Sequence, residues 1–231
     1  MDFDSAQRLT EILLALAFLQ QSLEHLSAAR DEQRLFALRI VLSLLLLFGV
    51  QSQWATVGLV ILSLPILHRF QGPYNGGSDR MGLLILICLC LSHFAPNQSW
   101  KDIALGYLAL QLVLSYLISG WVKIVNPDWR SGRALSDVFQ FSAYPVSENL
   151  RSIARQPRLV LAASWAVMLF EIAFPATLLH PVTLIAGLSV AGLFHLANAV
   201  LFGLNRFFWV WLAAYPSILW LQHRVFASIQ F

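Results

Sequence analysis

Three ionisable side chains lie inside long apolar stretches of the sequence, where a charge is costly. Lys123 ends the apolar run that begins at Tyr107, Glu171 lies in the run 159–179, and His195 lies in the run 182–203. A charged group in hydrocarbon must be paired, hydrated or neutral, so such residues are candidates for a functional site. An amine, a carboxyl group and an imidazole also exchange protons in catalysis. One interpretation is therefore a proton-transfer site with Lys123 as the base and with Glu171 and His195 shaping its protonation.

Structural interpretations of the same three residues stay open. Lysines at the end of a membrane span commonly extend to the lipid headgroups, which would leave Lys123 without a chemical role. Glu171 and His195 could form a polar clamp between helices, and Asn198, three residues after His195, could satisfy the imidazole. The spacing of the histidines and cysteines predicts no metal site, and no phosphate loop or nucleophile elbow is present in the sequence.

The helix that carries Lys123 also carries a row of polar residues in steps of four. Neighbours four apart lie on one side of a helix, and each step overshoots a full turn by about 40°. An unpaired polar group that faces lipid carries a free-energy cost. We therefore expect this row to face other helices or a wet cavity. Gln111 is then a candidate ligand-binding residue. The row consists of Tyr107, Gln111, Ser115, Ser119 and Lys123.

The composition is that of a membrane protein, with 58% hydrophobic and 12% charged residues. Soluble domains carry about 25% charged residues. We predict an all-α, polytopic transmembrane helical bundle of about eight spans that forms a single domain over 1–231. The net charge of +3 is scattered over loops, so the partner that the sequence favours is a lipid bilayer and no nucleic acid. The predicted spans are 7–27, 35–50, 54–68, 81–95, 103–124, 159–179, 182–203 and 206–221.

Two loops between the spans contain candidate binding residues. In the loop 69–80, Ser78 or Asp79 is predicted to cap a helix that begins near Met81, and backbone amides beside Arg80 could hold an anion or a lipid headgroup. A plain turn and cap between antiparallel spans is the favoured interpretation of this loop. The segment 125–158 predicts two short helices, an amphipathic one at 132–141 and another at 146–155. Its aromatic residues Trp129 and Tyr144 are typical of a headgroup boundary.

The distribution of basic residues predicts the orientation in the membrane. With eight spans, twelve of the 15 lysine and arginine residues fall on the side that holds the Lys123 end of its helix. Positive residues concentrate on the cytoplasmic side of inner-membrane proteins. We therefore expect a multi-pass protein of the cell inner membrane with both termini outside.

Two segments resemble a known membrane family. The run YLISGWVKIVNPDWRSGRAL, residues 116–135, resembles the signature segment of the HTTM domain, which vitamin K-dependent gamma-carboxylases share. The run 194–220, FHLANAVLFGLNRFFWVWLAAYPSILW, resembles a second segment of that family, and its His195 and Asn198 match a histidine–asparagine pair there. The signature covers residues 103–221, and the sequence is also similar to the broader DoxX-like proteins.

The resemblance implies a role for Lys123 and a class of cofactor. In the carboxylases, a lysine three residues after the glycine that matches Gly120 deprotonates reduced vitamin K. By resemblance, Lys123 would be the base and a reduced quinone the cofactor. The chain departs from the family by one extra residue before Asp128-Trp129 and by lacking the large soluble domain that holds the protein substrate. Lys123 is also expected at the cytoplasmic face, whereas the carboxylase works on the lumenal side.

Two classes of function follow from these observations. The first is a bacterial membrane enzyme or redox module that binds a lipophilic quinone-type molecule, with Gln111, Trp129, Asn198 and Arg80 as candidate ligand-binding residues. The alternative is a non-catalytic membrane partner for the maturation or export of another protein or peptide. Small residues at 186, 187, 189, 191 and 192 would then let a neighbouring helix approach closely. A transporter would require internal repeats, and none is convincing in the sequence.

Overall fold

The computed structural model of the chain describes residues 1–26, 30–69, 76–141 and 151–226. These residues are helical and include no strand, which confirms the all-α fold class. Short 3₁₀ segments occur at Ser152–Arg155 and Phe174–Leu179. The ten α-helices in this part of the chain are α1 (Phe3–Glu24), α2 (Arg30–Phe48), α3 (Ser52–Arg69), α4 (Gly76–His93), α5 (Gln98–Val125), α6 (Pro127–Arg130), α7 (Arg133–Phe141), α8 (Pro157–Ala173), α9 (Pro181–Phe202) and α10 (Asn205–Phe226).

The helices match the predicted apolar runs closely, with two informative differences at their starts. Helix α1 begins at Phe3, before the predicted residue 7, because Asp2 caps it by accepting a hydrogen bond from the Ser5 amide at 2.8 Å. Helix α4 begins at Gly76, so the predicted cap at Ser78 or Asp79 was wrong. Asp79 instead accepts a hydrogen bond from Gln21 Nε2 at 2.9 Å. Tyr144 and most of the helix predicted at 146–155 lie outside the described residues.

Three described segments are long and apolar enough to cross a membrane. They are Gln98–Val125, Pro157–Leu179 and Pro181–Phe202. Helix α3 is apolar over Ser52–His68 but shorter, and α1 and α2 carry charged residues such as Glu11 and Arg39 within their length. The membrane class is therefore supported, whereas the number of eight spans is not confirmed. The orientation with both termini outside depends on that number and stays a prediction.

The chain divides into two compact units. The first comprises residues up to Leu110 together with the C-terminal segment from Arg206, and the second comprises Gln111–Asn205. The single domain predicted over 1–231 stays a prediction, since one membrane domain can contain more than one compact unit.

Buried polar groups connect the helices of the first unit. In this unit α1 packs against α2 and α4, and α3 packs between α2 and α4. Arg39 on α2 is 2% exposed, donates to Gln21 Oε1 at 2.9 Å and lies 3.9 Å over the ring of Phe18. Gln21 in turn donates to Asp79, so a polar chain crosses from α2 through α1 to α4. Such pairing is what permits a guanidinium group to be buried.

In the second unit, α8 is the helix against which the others are arranged. Helices α6 and α7 pack on α8, and the 3₁₀ segment Phe174–Leu179 that extends α8 packs on α9. Gly187 on α9 faces Thr177, and a Cβ at Gly187 would lie 2.7 Å from Thr177 Cγ2. This glycine therefore serves packing inside the unit.

Candidate functional site

Helices α5 and α8 approach each other closely at a glycine next to the candidate base. A Cβ placed on Gly120 would lie 2.9 Å from Glu171 Cβ and 2.9 Å from the backbone nitrogen of Ile172. Real Cβ atoms do not approach other atoms so closely, so only glycine fits at this position. Lys123 follows Gly120 by three residues, about one helical turn, and this spacing brings its side chain beside Glu171.

Lys123 and Glu171 form a buried ion pair. Lys123 Nζ lies 2.6 Å from each carboxylate oxygen of Glu171. Ser119 completes the group, because its Oγ accepts a hydrogen bond from Lys123 Nζ at 2.7 Å and donates one to Glu171 Oε1 at 3.2 Å. The side chains of Lys123 and Glu171 are 16% and 3% exposed. Lys123 therefore points into the protein, and the interpretation in which it extends to the headgroups was wrong.

A second polar pair lies along the same face of α5. Tyr116 Oη lies 2.9 Å from His195 Nε2, and both side chains are buried. The Tyr116 ring also packs on Phe174, with ring centroids 4.2 Å apart. Tyr116, Ser119 and Lys123 follow one another at spacings of three and four residues, so they share one face of the helix. The two pairs are therefore neighbours along α5.

Tyr116 was missed by the sequence reasoning. It lies in an apolar run, where a tyrosine counts as one more hydrophobic residue. Its position seven residues before Lys123 was a usable signal, since positions separated by two helical turns share a face. A buried tyrosine also needs a hydrogen-bond partner for its hydroxyl group, and a histidine elsewhere in the membrane segments is a natural one.

Trp129 covers the ion pair from the segment that follows α5. Its ring centroid lies 5.3 Å from Lys123 Nζ, within the range of a cation–π interaction. Helix α6 presents this ring, and Asn126 caps α6 by accepting a hydrogen bond from the Asp128 amide at 2.9 Å. The Trp129 carbonyl accepts a hydrogen bond from Ser164 Oγ on α8 at 2.6 Å. Trp129 is thus a candidate ligand-binding residue that lies at the site.

No hydrogen bond or ion pair among the described residues connects the other candidate residues to this group. Gln111 is half-buried on α5, about 18 Å along the helix from Lys123 at the usual rise per residue. Asn198 is half-buried on α9, and its carbonyl accepts the Leu204 amide where that helix ends. Arg80 is exposed on α4, in the first unit. Ser115 donates to the carbonyl of Leu112 in its own helix. Of the polar row in steps of four, Ser119 and Lys123 contact Glu171, whereas Tyr107 is exposed and Ser115 bonds within its own helix.

The arrangement has the chemical properties of a proton-transfer site. One proton can be held either on Lys123 Nζ or on Glu171, because the two groups are in direct hydrogen-bond contact. The Ser119 hydroxyl group contacts both partners and can orient them. Little solvent reaches Glu171, so interactions with a bound molecule would be stronger there than in water.

Comparison with known families gives one match. The family model of the HTTM domain matches residues 83–222. This region contains α5 to α9 and most of α10, and it includes Lys123, Glu171 and His195. Comparisons with curated proteins and with solved structures give no match.

Proposed function

Because the chain belongs to the HTTM domain family, we propose that it is a membrane-embedded catalyst or redox module that takes a proton from a reduced quinone-type molecule. Lys123 is the base in this proposal. The observation that carries it is the contact between Lys123 Nζ and both carboxylate oxygens of Glu171 at 2.6 Å, in a segment of the chain that is long and apolar enough to cross a membrane. We also propose that the membrane is the bacterial inner membrane.

The ion pair supports this role because a lysine accepts a proton only as a neutral amine. Transfer of one proton from Lys123 to Glu171 gives a neutral amine and a neutral carboxylic acid, and burial favours the neutral forms over separated charges. The amine then accepts the proton of a quinol hydroxyl group, which leaves a quinolate anion beside the lysine ammonium group. Glu171 stores the first proton, and no further acid is required for this step.

The side chains around Lys123 fit a flat aromatic molecule that carries a hydroxyl group. Trp129 offers an aromatic ring 5.3 Å from Lys123 Nζ, and aromatic rings stack favourably on one another. A reduced quinone would supply a weakly acidic hydroxyl group on such a ring. Lys123 would receive the proton, Trp129 would orient the ring, and the Tyr116–His195 pair would hold α5 and α9 in place beside it.

The test measures quinol binding and turnover by purified protein in lipid nanodiscs. The chain has two lysines, and Lys101 provides a matched control for Lys123. We expect Lys123→Ala to reduce turnover by about 10²-fold or more, the usual contribution of a general base, and Lys101→Ala to leave it unchanged. Glu171→Gln is expected to reduce turnover as well, because the glutamine cannot store the proton. Unchanged turnover in Lys123→Ala would refute the role of the lysine.

The alternative, a non-catalytic membrane partner for maturation or export, predicts the opposite pattern. Variants of Lys123, Glu171 and His195 would then leave function intact. Gly187 and Ala191 pack within the second unit, whereas Ala186 and Ser189 are exposed and nothing lies within 4 Å of a Cβ added at Gly192, so these three positions can meet a partner. Substitution of Ala186 and Ser189 by larger residues would abolish function under this alternative and would not affect proton transfer.

A further inference from the structure

Helices α8 and α9 have an end in common, and α7 lies at that end. Helix α8 begins at Pro157 and α9 ends at Phe202, and both belong to segments that are long and apolar enough to cross a membrane. The Phe139 ring on α7 packs against the Phe202 ring, with centroids 5.1 Å apart. Ser136 Oγ on α7 donates to the carbonyl of Ala154, just before α8 begins, at 3.2 Å. Helix α7 therefore lies where one apolar helix begins and the other ends.

Arginine side chains without a carboxylate partner collect at this end. The described residues of the segment 126–158 include five arginines and two aspartates, which leaves a net charge of +3. Both aspartates lie near Arg133, Asp128 at 3.9 Å and Asp137 at 3.7 Å. The exposed arginines that form no ion pair with any described residue are Arg130, Arg155 and Arg158. Most of the positive charge here is therefore not neutralised by the protein.

Exposed apolar side chains continue along α8 from its first arginine. Arg158 lies in the first turn of α8, and residues four, seven and eleven positions later share its face of the helix. These residues are all exposed, and they are Ala162, Trp165 and Leu169. Leu169 lies about 16 Å along the helix from Arg158, comparable with half of the ~30 Å hydrocarbon core of a bilayer. This face of α8 is thus cationic at its start and apolar beyond it.

We propose that this end of the second unit binds an anionic phospholipid, with the phosphate group at Arg155 and Arg158 and an acyl chain along Trp165 and Leu169. Unpaired guanidinium groups bind phosphate oxygens through charge-assisted hydrogen bonds. Hydrocarbon covers an exposed apolar face favourably. The proposal goes beyond the proposed function and does not rest on it.

The combination of charge and apolar surface selects this ligand over others. A soluble phosphate would contact the arginines and leave the face of Trp165 and Leu169 uncovered. A lipid with a choline headgroup would cover that face, but its cation would be repelled by the positive charge of the segment. Basic residues beside a membrane-spanning segment attract anionic lipids, each by about a factor of five. Phosphatidylglycerol, whose phosphate carries the charge of its headgroup, meets both conditions.

The first experiment measures which lipid lies against α8 in the full chain, in lipid nanodiscs. Cys88 and Cys90 are replaced by alanine, and a bimane fluorophore is attached at Leu169→Cys. The nanodiscs contain equal amounts of phosphatidylglycerol and phosphatidylcholine, and the acyl chains of one of the two lipids are brominated so that they quench the fluorophore. We expect a preference for phosphatidylglycerol of about fivefold or more at this position. Equal quenching by the two brominated lipids would overturn the proposal.

Arginine variants test whether Arg155 and Arg158 produce the preference. Arg155→Gln together with Arg158→Gln is expected to remove it, and Arg155→Lys with Arg158→Lys is expected to keep most of it because the charge remains. The matched control replaces two exposed arginines of the first unit, Arg34→Gln with Arg80→Gln, and should leave the preference intact. A preference that survives in the first glutamine variant, or that the control removes equally, would overturn the assignment to these two arginines.

A competition experiment distinguishes the lipid from a soluble anion. Glycerol phosphate, the free headgroup, is added to nanodiscs that contain brominated phosphatidylglycerol. We expect the quenching at 169 to persist, because the free headgroup gains nothing from the apolar face. Recovery of the fluorescence would show that the arginines bind a soluble phosphate in place of the lipid and would overturn the proposal. None of these measurements uses turnover, so a failure of the proposed function stays distinguishable.

Discussion

Gly120 lies so close to α8 that a Cβ on it would stand 2.9 Å from the backbone nitrogen of Ile172. The obstacle would be backbone, which cannot rotate away as a flexible side chain can. The position of Lys123 beside Glu171 thus depends on the absence of a side chain one turn earlier.

Gly120→Ala is expected to push α5 and α8 apart and to weaken the ion pair. Overpacking of this kind lowers the stability of the folded protein by about 1–3 kcal/mol. The higher helix propensity of alanine offsets a part of this loss. Thermal unfolding in detergent measures the loss of stability, and the reactivity of Lys123 toward an amine reagent should rise as its partner withdraws. Gly192→Ala is the control, because nothing lies within 4 Å of the added Cβ. Equal unfolding temperatures for the two variants would contradict the close approach.

Removing one member of the Lys123–Glu171 pair is expected to destabilise the protein more than removing both. A single buried partner left without its counter-charge lowers the free energy of unfolding by about 3–5 kcal/mol. Apolar residues of similar size at both positions often leave the stability unchanged. The variants are Lys123→Met, Glu171→Leu and the double variant, and the measurement is unfolding in mixed micelles. If the two single effects simply add in the double variant, the two side chains do not interact.

Tyr116→Phe is expected to remove the hydrogen bond to His195 while keeping the ring packed on Phe174. The loss of a buried hydrogen bond costs about 1 kcal/mol, and the chemical shifts of the His195 ring should change. The control is Tyr107→Phe, because the Tyr107 side chain is largely exposed on the same helix. Unchanged stability and an unchanged His195 spectrum would show that the contact contributes nothing.

Arg39→Ala is expected to be the most disruptive arginine substitution in the first unit. It removes the donor to Gln21 and the group that lies over Phe18, and it leaves Asp79 with less positive charge nearby. Loss of a hydrogen bond from a charged group costs about 2 kcal/mol. Arg80→Ala provides the control, since Arg80 is exposed on α4. Unfolding in mixed micelles compares the two variants, and an equal effect would argue against the polar chain across α2, α1 and α4.

The amino-acid sequence by itself determined the membrane class, the helices and the residues that stand out within them. These properties are local. A run of apolar residues forms a helix in a bilayer whatever its neighbours are, and isolated groups such as Lys123, Glu171 and His195 are conspicuous in such runs without any knowledge of contacts.

Only the tertiary structure decided which of these groups meet. Glu171 pairs with Lys123 and Ser119, and His195 meets a tyrosine that looked like one more apolar residue. Helix α5 ends before Asn126 as predicted, and the chain after the break continues along α8 toward the first residues of that helix. The physical reason is that spacing along a helix defines a face, whereas the partner of that face depends on how closely two helices can approach. Here, a single glycine permits that approach.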